Sequence, residues 1–242
     1  MDKATLRHRL LAQRALITPE ARLAAGEKLV HQFPAYVLDR PCIHFGSAPL
    51  TVAAYVSMGS EVETRPLLAW LLASRIRVLV PLLGSGLDIG WSALDSMESL
   101  HPVAGSGHRR PDEPQGTPLP PEALHDADLI IAPALAVDRH GNRLGRGAGW
   151  YYRALVNRRP GCPIIAVCWP WEVVDDDEWI ADPHDVPADG VLTPEGYRQL
   201  QDYRRIPNIR RLLSRLRMPA GQSVRAATRI LTVVRHDDNA YA

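Results

Sequence analysis

Cysteine is scarce: the chain of 242 residues has three, Cys42, Cys162 and Cys168. An odd number with no Cys-x-x-Cys pair excludes a disulfide framework and gives no zinc ribbon. No run of about eighteen apolar residues exists, so no membrane-spanning helix is expected. The charged N-terminus has no apolar h-region behind it, and a secretory signal peptide is not expected. Internal repeats and sequence-reading nucleic-acid motifs are also missing. What is present is ordinary for a globular chain, with 46% hydrophobic and 23% charged residues. That length holds one α/β domain, or a domain plus a tail, with a substantial core. The sum of these features points to a soluble cytoplasmic protein.

Short apolar runs alternate with helical patterns. The runs at 52–56, 77–81, 129–133, 164–169 and 190–192 read as strands. Strands separated by helices predict an α/β fold of three layers: a mostly parallel sheet with helices on both faces. The stretch 105–121 is rich in Pro and Gly and reads as a long surface loop, a candidate lid. Charge is unevenly placed. Residues 201–242 hold nine Arg and three Asp, a balance of +6, which leaves −5 on the first 200 of a chain whose net charge is +1. Residues 1–200 are therefore expected to form the domain and 201–242 a separate basic extension. Within it, 208–217 sets leucines at helical spacing among arginines, as a basic amphipathic helix does.

The most informative stretch runs from Asp138 to Leu155. An apolar strand, Leu129 to Pro133, feeds Arg143-Leu144-Gly145-Arg146-Gly147-Ala148-Gly149. Trp150, Tyr151, Ala154 and Leu155 then recur at helical spacing. A glycine loop that opens onto a helix start offers backbone N–H groups to phosphate. Alternating glycines permit close approach of a ligand, and Arg143 and Arg146 add donors and charge. The spacing is neither a Walker loop nor a dinucleotide fingerprint. A strand-to-helix turn with solvated arginines is the alternative reading of the same residues.

These residues resemble those of the 5-formyltetrahydrofolate cyclo-ligase family, over about residues 3–193 and most specifically over 133–155. Four further stretches agree. Lys3-Ala4-Thr5-Leu6-Arg7 is similar to the family's nucleotide-binding Lys-x-x-x-Arg start, with both cations on one helix face. Residues 52–64, ending Gly59-Ser60-Glu61-Val62-Glu63-Thr64, look like its strand, loop and folate-binding Glu. Glu113-Pro114, and His184-Asp185 through Asp189 to Thr193, resemble its Glu-Pro turn and closing motif. The resemblance implies a CoA-transferase-like architecture. It also implies an enzyme that uses ATP with magnesium to convert 5-formyltetrahydrofolate to 5,10-methenyltetrahydrofolate, releasing ADP and phosphate. ATP and 5-formyltetrahydrofolate are then the partners, without nucleic acid, and the chain is expected to act as a monomer, with a dimer as the alternative. Carried onto this chain, Lys3, Arg7 and the loop Arg143, Leu144, Gly145, Arg146, Gly147, Ala148, Gly149, Trp150 and Tyr151 hold the nucleotide. Arg143 and Arg146 act in catalysis, while Val56, Glu61, Trp91 and Tyr151 hold the folate. Asp189 is the metal candidate.

One position departs from the pattern. The family reads Gly-Tyr-Tyr-Asp-Arg, its Asp a magnesium ligand, where this chain has Gly149-Trp150-Tyr151-Tyr152-Arg153. A neutral phenol is a poor ligand for a hard cation. Three outcomes are open: metal held by Asp189, water and ATP; another carboxylate such as Asp138 in its place; or a folate- and nucleotide-binding protein without turnover. An α/β protein acting on another phosphorylated small molecule is the remaining alternative, and it leaves Glu61 and the Lys3/Arg7 pair unexplained.

Overall fold

A computed structural model describes residues 2–38, 50–83, 89–103, 110–175, 179 and 186–200. The basic extension 201–242, His184 and Asp185 of the closing motif, and residues 105–109 of the Pro/Gly-rich stretch lie outside the described residues. Helix α1 (Lys3–Arg14) starts at Asp2, whose carboxylate accepts from the amides of Ala4 and Thr5 at 2.9 and 3.0 Å. Helix α2 (Pro19–Gln32) has Thr18 as its cap and Pro19 in its first turn. There follow β1 (Thr51–Ala53), α3 (Arg65–Ala73), β2 (Arg77–Pro81), β3 (Trp91–Leu94), β4 (Leu100–His101) and β5 (Glu113–Pro114). The rest comprises β6 (Leu129–Pro133), β7 (Ala136–Val137), β8 (Arg143–Leu144), α4 (Trp150–Ala154), β9 (Ile164–Val167), β10 (Gly190–Thr193) and β11 (Gly196–Gln199).

Seven strands form one sheet in the order β11-β10-β9-β6-β1-β2-β3. The five central strands run parallel, and β3 and β11 close the edges antiparallel. Side chains alternate between faces with the strand period of two. On β6, Leu129 and Ile131 join Leu29, Leu67, Leu68 and Leu71 of α2 and α3, whereas Ile130 and Ala132 join Leu124, Ala154 and Leu155 on the other face. That second face is covered by α4 and short helical turns at Pro121–Asp126 and Leu155–Asn157. The three-layer α/β arrangement is thus present, with one thin layer.

Two strands end earlier than their apolar runs. The run 52–56 leaves the ladder after Ala53, with Ala54 N still donating to Leu79 O at 2.8 Å. The run 164–169 leaves it after Val167. Both ends are where the chain bends away to line a cavity or carry a turn. The edge strands β3 and β11 were not anticipated.

Helix α1 lies outside these layers. Leu6 and Leu10 pack with Leu135, Ala136 and Leu144 around the small β7–β8 ladder. Each of those two buried leucines contributes about 2 kcal/mol. An exposed ion pair gives about 0–1 kcal/mol. The apolar stripe therefore docks α1, and its cations ride on it.

Candidate functional site: a cationic cavity at the strand ends

The parallel strands β1, β2 and β6 deliver their carboxyl ends to a single cavity of about 780 Å³, within the usual range for small-molecule pockets. Tyr55, Val56, Met58 and Glu61 follow β1, Leu83 follows β2, and Pro133, Ala134 and Leu135 close β6; all line it. The segment from Arg143 to Tyr152 forms another wall, and α1 contributes Lys3, Arg7 and Arg14. Open α/β sheets bind ligands at this end of their strands.

The cavity brings together Lys3, Arg7, Val56, Glu61, Arg143, Leu144, Gly145, Arg146, Gly147, Ala148, Gly149, Trp150, Tyr151 and Tyr152. It does not include two residues assigned from sequence. Trp91, assigned to the folate, is fully buried on β3 and supports the wall from behind, its ring centroid 5.3 Å from that of Trp150. Asp189, assigned to the metal, precedes β10 and so lies at the amino ends of the parallel strands. Its Oδ2 accepts from the Ile164 amide at 2.8 Å, a structural bond joining β9 to β10.

Long-range bonds set the loop. Arg7 Nε donates to the Gly145 carbonyl at 2.8 Å, tying α1 to the loop 138 residues on. Arg143 Nη2 donates to Val186 O at 3.2 Å. Gly147 and Gly149 take φ of 109° and 67°, left-handed conformations that side-chain-bearing residues resist. The helix beyond, α4, has only five residues, so its dipole is small and the cations supply most of the field. Among the described residues five basic side chains line the cavity, Lys3, Arg7, Arg14, Arg143 and Arg146, against one carboxylate, Glu61.

Glu61 is 7% exposed. Burial raises its pKa above the usual carboxylate value, opposed by the Met58 amide, which donates to it at 2.9 Å, and by Arg14, Arg146 and Arg22. Its loop is held from below. Glu63 accepts from Ser57 Oγ at 2.7 Å and pairs with Arg22 at 2.7 Å and Arg65 at 3.0 Å. Trp169 Nε1 donates to Ser60 O at 3.0 Å. The Tyr151 hydroxyl is buried without a hydrogen-bond partner among the described residues, and burial, followed by the charge of Glu61, pushes its pKa well above the ordinary phenol value while Arg143 opposes. At neutral pH it is a neutral donor, not a base.

Sequence reasoning missed Arg14 and Glu172, a buried pair 2% and 0% exposed whose Nη2–Oε2 distance is 2.8 Å. The available signal was geometric: Arg14 shares the helix face of Lys3 and Arg7, since positions 3, 7 and 14 fall within a narrow arc of α1.

Among the described residues the donors do not make a magnesium cage. Tyr152 lines the cavity as a half-exposed phenol. Asp138 is 3% exposed, and its oxygens accept from the amides of His140 and Asn142 and from Asn142 Nδ2, so it builds the turn before β8. Among the described residues no group of three or more His, Cys, Asp or Glu side chains is placed to hold a metal ion. Magnesium requires hard anionic oxygens, and those of Asp138 and Asp189 accept structural hydrogen bonds instead.

Fold and cavity define a ligand-binding α/β domain with a cationic glycine loop facing a buried carboxylate. The chain belongs to the 5-formyltetrahydrofolate cyclo-ligase family, whose profile matches residues 1–194. A 5-formyltetrahydrofolate cyclo-ligase of Mycolicibacterium smegmatis is 42% identical over 150 residues, 60% of this chain and 74% of that protein. One of Escherichia coli is 26% identical over 193 residues, 75% of this chain and 94% of the relative. Among solved structures, 5,10-methenyltetrahydrofolate synthetase of Aquifex aeolicus superposes with a TM-score of 0.63 at 27% identity, covering 84% of this chain and 94% of that one. No helix among the described residues is long and apolar enough to cross a membrane.

Proposed function

We propose that this chain converts 5-formyltetrahydrofolate to 5,10-methenyltetrahydrofolate at the cost of ATP, with ADP and phosphate as the other products. One observation carries the reading: the cationic loop 143–149 and Glu61 line one cavity, joined by Lys3 and Arg7. The reaction needs such a pairing. A formamide oxygen is a poor leaving group, so it is first phosphorylated: the oxygen attacks the γ-phosphorus and ADP departs. The neighbouring amine nitrogen then attacks the activated carbon, and phosphate leaves with the oxygen as the ring closes.

Such a transfer asks the protein for alignment and charge neutralisation, not for a nucleophile. Lys3, Arg7, Arg143 and Arg146 grip the triphosphate, Arg143 and Arg146 nearest the transferring group. Loop amides at Gly145, Gly147 and Gly149 add donors, and Leu144, Ala148 and Trp150 shape the seat. Glu61 accepts from the pterin N–H and amino groups, with Val56 and the neutral Tyr151 hydroxyl beside it. Because the described side chains do not fit a metal cage, no step is assigned to magnesium; a requirement for it would be met on the nucleotide's own oxygens. The demand for ATP and reduced folate suits a cytoplasmic setting.

Tyr152, where the family carries an Asp, favours a second reading: a protein that binds both ligands and turns over slowly or not at all. An ATP-hydrolysis assay with and without 5-formyltetrahydrofolate, read with the absorbance of the methenyl product, separates the two. The first reading expects folate-dependent ADP release matched by methenyl formation. Thermal stabilisation by both ligands without ADP supports the second. ADP release indifferent to folate defeats both and points to another acceptor.

A further inference from the structure

Arg14 takes no part in the phosphate grip, yet it lines the same cavity and is 2% exposed. Its Nε and Nη2 both face Glu172, and Nη2 also donates to the Ala134 carbonyl at 2.8 Å. Two-pronged pairing of this kind fixes the plane of a guanidinium. The third nitrogen, Nη1, has no hydrogen-bond partner among the described residues. Nη1 is not one of the sealed, unpartnered side-chain atoms of the core, so it is the donor through which Arg14 opens onto the cavity, where a ligand acceptor would complete it. The Ala134 carbonyl that holds Nη2 follows β6, whose strand end lines the cavity together with Tyr55 and Glu61, and both of those groups act on Arg14 electrostatically.

Resting on the cyclo-ligase reading, we infer that Arg14 is a specificity-determining residue: its Nη1 donates to the 4-oxo group of the pterin while Glu61 accepts from the adjacent ring N–H and 2-amino group. A 2-amino-4-oxo pyrimidine edge presents one acceptor followed by two donors. A guanidinium beside a carboxylate presents the complementary set. A carboxylate alone discriminates weakly, because a 4-amino ring lacks that ring N–H but can turn its other edge to the carboxylate and offer the 2-amino group with a protonated N1. With Arg14 in place, a 4-amino group meets an N–H head-on and leaves both donors unpaired.

The test is calorimetric titration of the full chain with 5-formyltetrahydrofolate and with its 4-amino-4-deoxy analogue, in the natural protein and in Arg14→Lys. Lysine keeps a positive charge opposite Glu172 but loses the fixed fork. The natural protein should prefer the 4-oxo ligand by about tenfold or more, and the variant should drop below about threefold. ATP should raise the melting temperature of both equally, a sign that the phosphate end is unchanged. An unaltered preference in a folded variant, or no preference in the natural protein, overturns the inference and leaves the cyclo-ligase reading standing. Absence of saturable 5-formyltetrahydrofolate binding in the natural protein overturns that reading and the inference with it. Should Arg14→Lys fail to melt cooperatively, the same ratio is read in Arg14→Gln/Glu172→Gln, which removes both buried charges together.

Discussion

Two side chains in the cavity hold charge questions that single substitutions answer. Tyr152 is the first. It lines the cavity, and a carboxylate there would give a divalent cation the anionic oxygen that the surroundings lack. Tyr152→Asp should raise ATP-dependent cyclisation and tighten the apparent magnesium affinity by about tenfold or more. Equal or lower activity in a folded variant would show that the tyrosine replaces nothing. Glu61 is the second. Because its folded pKa is raised, the folded state holds this proton more tightly than the unfolded chain does. The resulting stability is fully present below the ordinary carboxylate value and fades as pH climbs through the raised one. Glu61→Gln should therefore melt like the natural protein in acid and above it at neutral pH, while losing affinity for 5-formyltetrahydrofolate. A melting difference that does not grow with pH would mean that the carboxylate is not strained by burial. Residues of this kind were legible because their motifs are local: Glu61 follows an apolar run, and Arg143 and Arg146 sit among spaced glycines. Arg14 was not, since an arginine on an amphipathic helix reads as solvated until a carboxylate 158 residues away is known to meet it.

The elements divide in the same way. Five parallel strands could be read because burial on both faces leaves continuous apolar runs, such as Leu129-Ile130-Ile131-Ala132. The edge strands escaped notice for the opposite reason: β11, Gly196-Tyr197-Arg198-Gln199, has two half-buried residues followed by two exposed ones, with no apolar run or alternation to stand out in four residues. The short α4 carried a helical pattern that the chain realises for five residues before tightening into a turn. What no pattern conveys is how closely elements approach. Gly26 of α2 lies under the loop that carries Glu61, and a Cβ there would meet Glu63 O at 2.6 Å and Glu63 Cβ at 2.8 Å. Alanine gains about 1 kcal/mol of helix propensity over glycine. Overpacking typically costs about 1–3 kcal/mol, and here the obstructing atom is backbone, so the loop has to shift. Gly26→Ala should therefore destabilise the protein slightly and weaken folate binding far more than ATP binding. Equal loss of both affinities would indicate that the helix disturbs the whole cavity rather than its folate wall.

For the molecule as a whole, the site depends on segments remote in sequence being held at once. A twelve-residue helix is marginal in isolation, so Lys3 and Arg7 become part of a phosphate grip only when α1 is docked through Leu6 and Leu10. The far end of the domain is closed by β11. Tyr197 lies over Gly190, where an added Cβ would sit 2.4 Å from its hydroxyl, and Leu200 packs on the core while its amide donates to Asp189 O at 2.9 Å. The family match stops at residue 194, before this strand. All described residues lining the cavity lie at or before Val186. A chain ending at Leu200 should then keep the cavity and the edge, and ATP at about one hundred times its dissociation constant should still stabilise it by about 2.7 kcal/mol. A chain ending at Thr193 loses the cover over Gly190 and the packing of Leu200, and with part of each side chain exposed should be less stable by about 2–3 kcal/mol. Paired denaturant melts of the two truncations and the full chain decide it. If the shorter truncation matches the longer, β11 is dispensable; if the longer falls well below the full chain, residues after 200 belong to the folded body and the boundary drawn there from charge is misplaced.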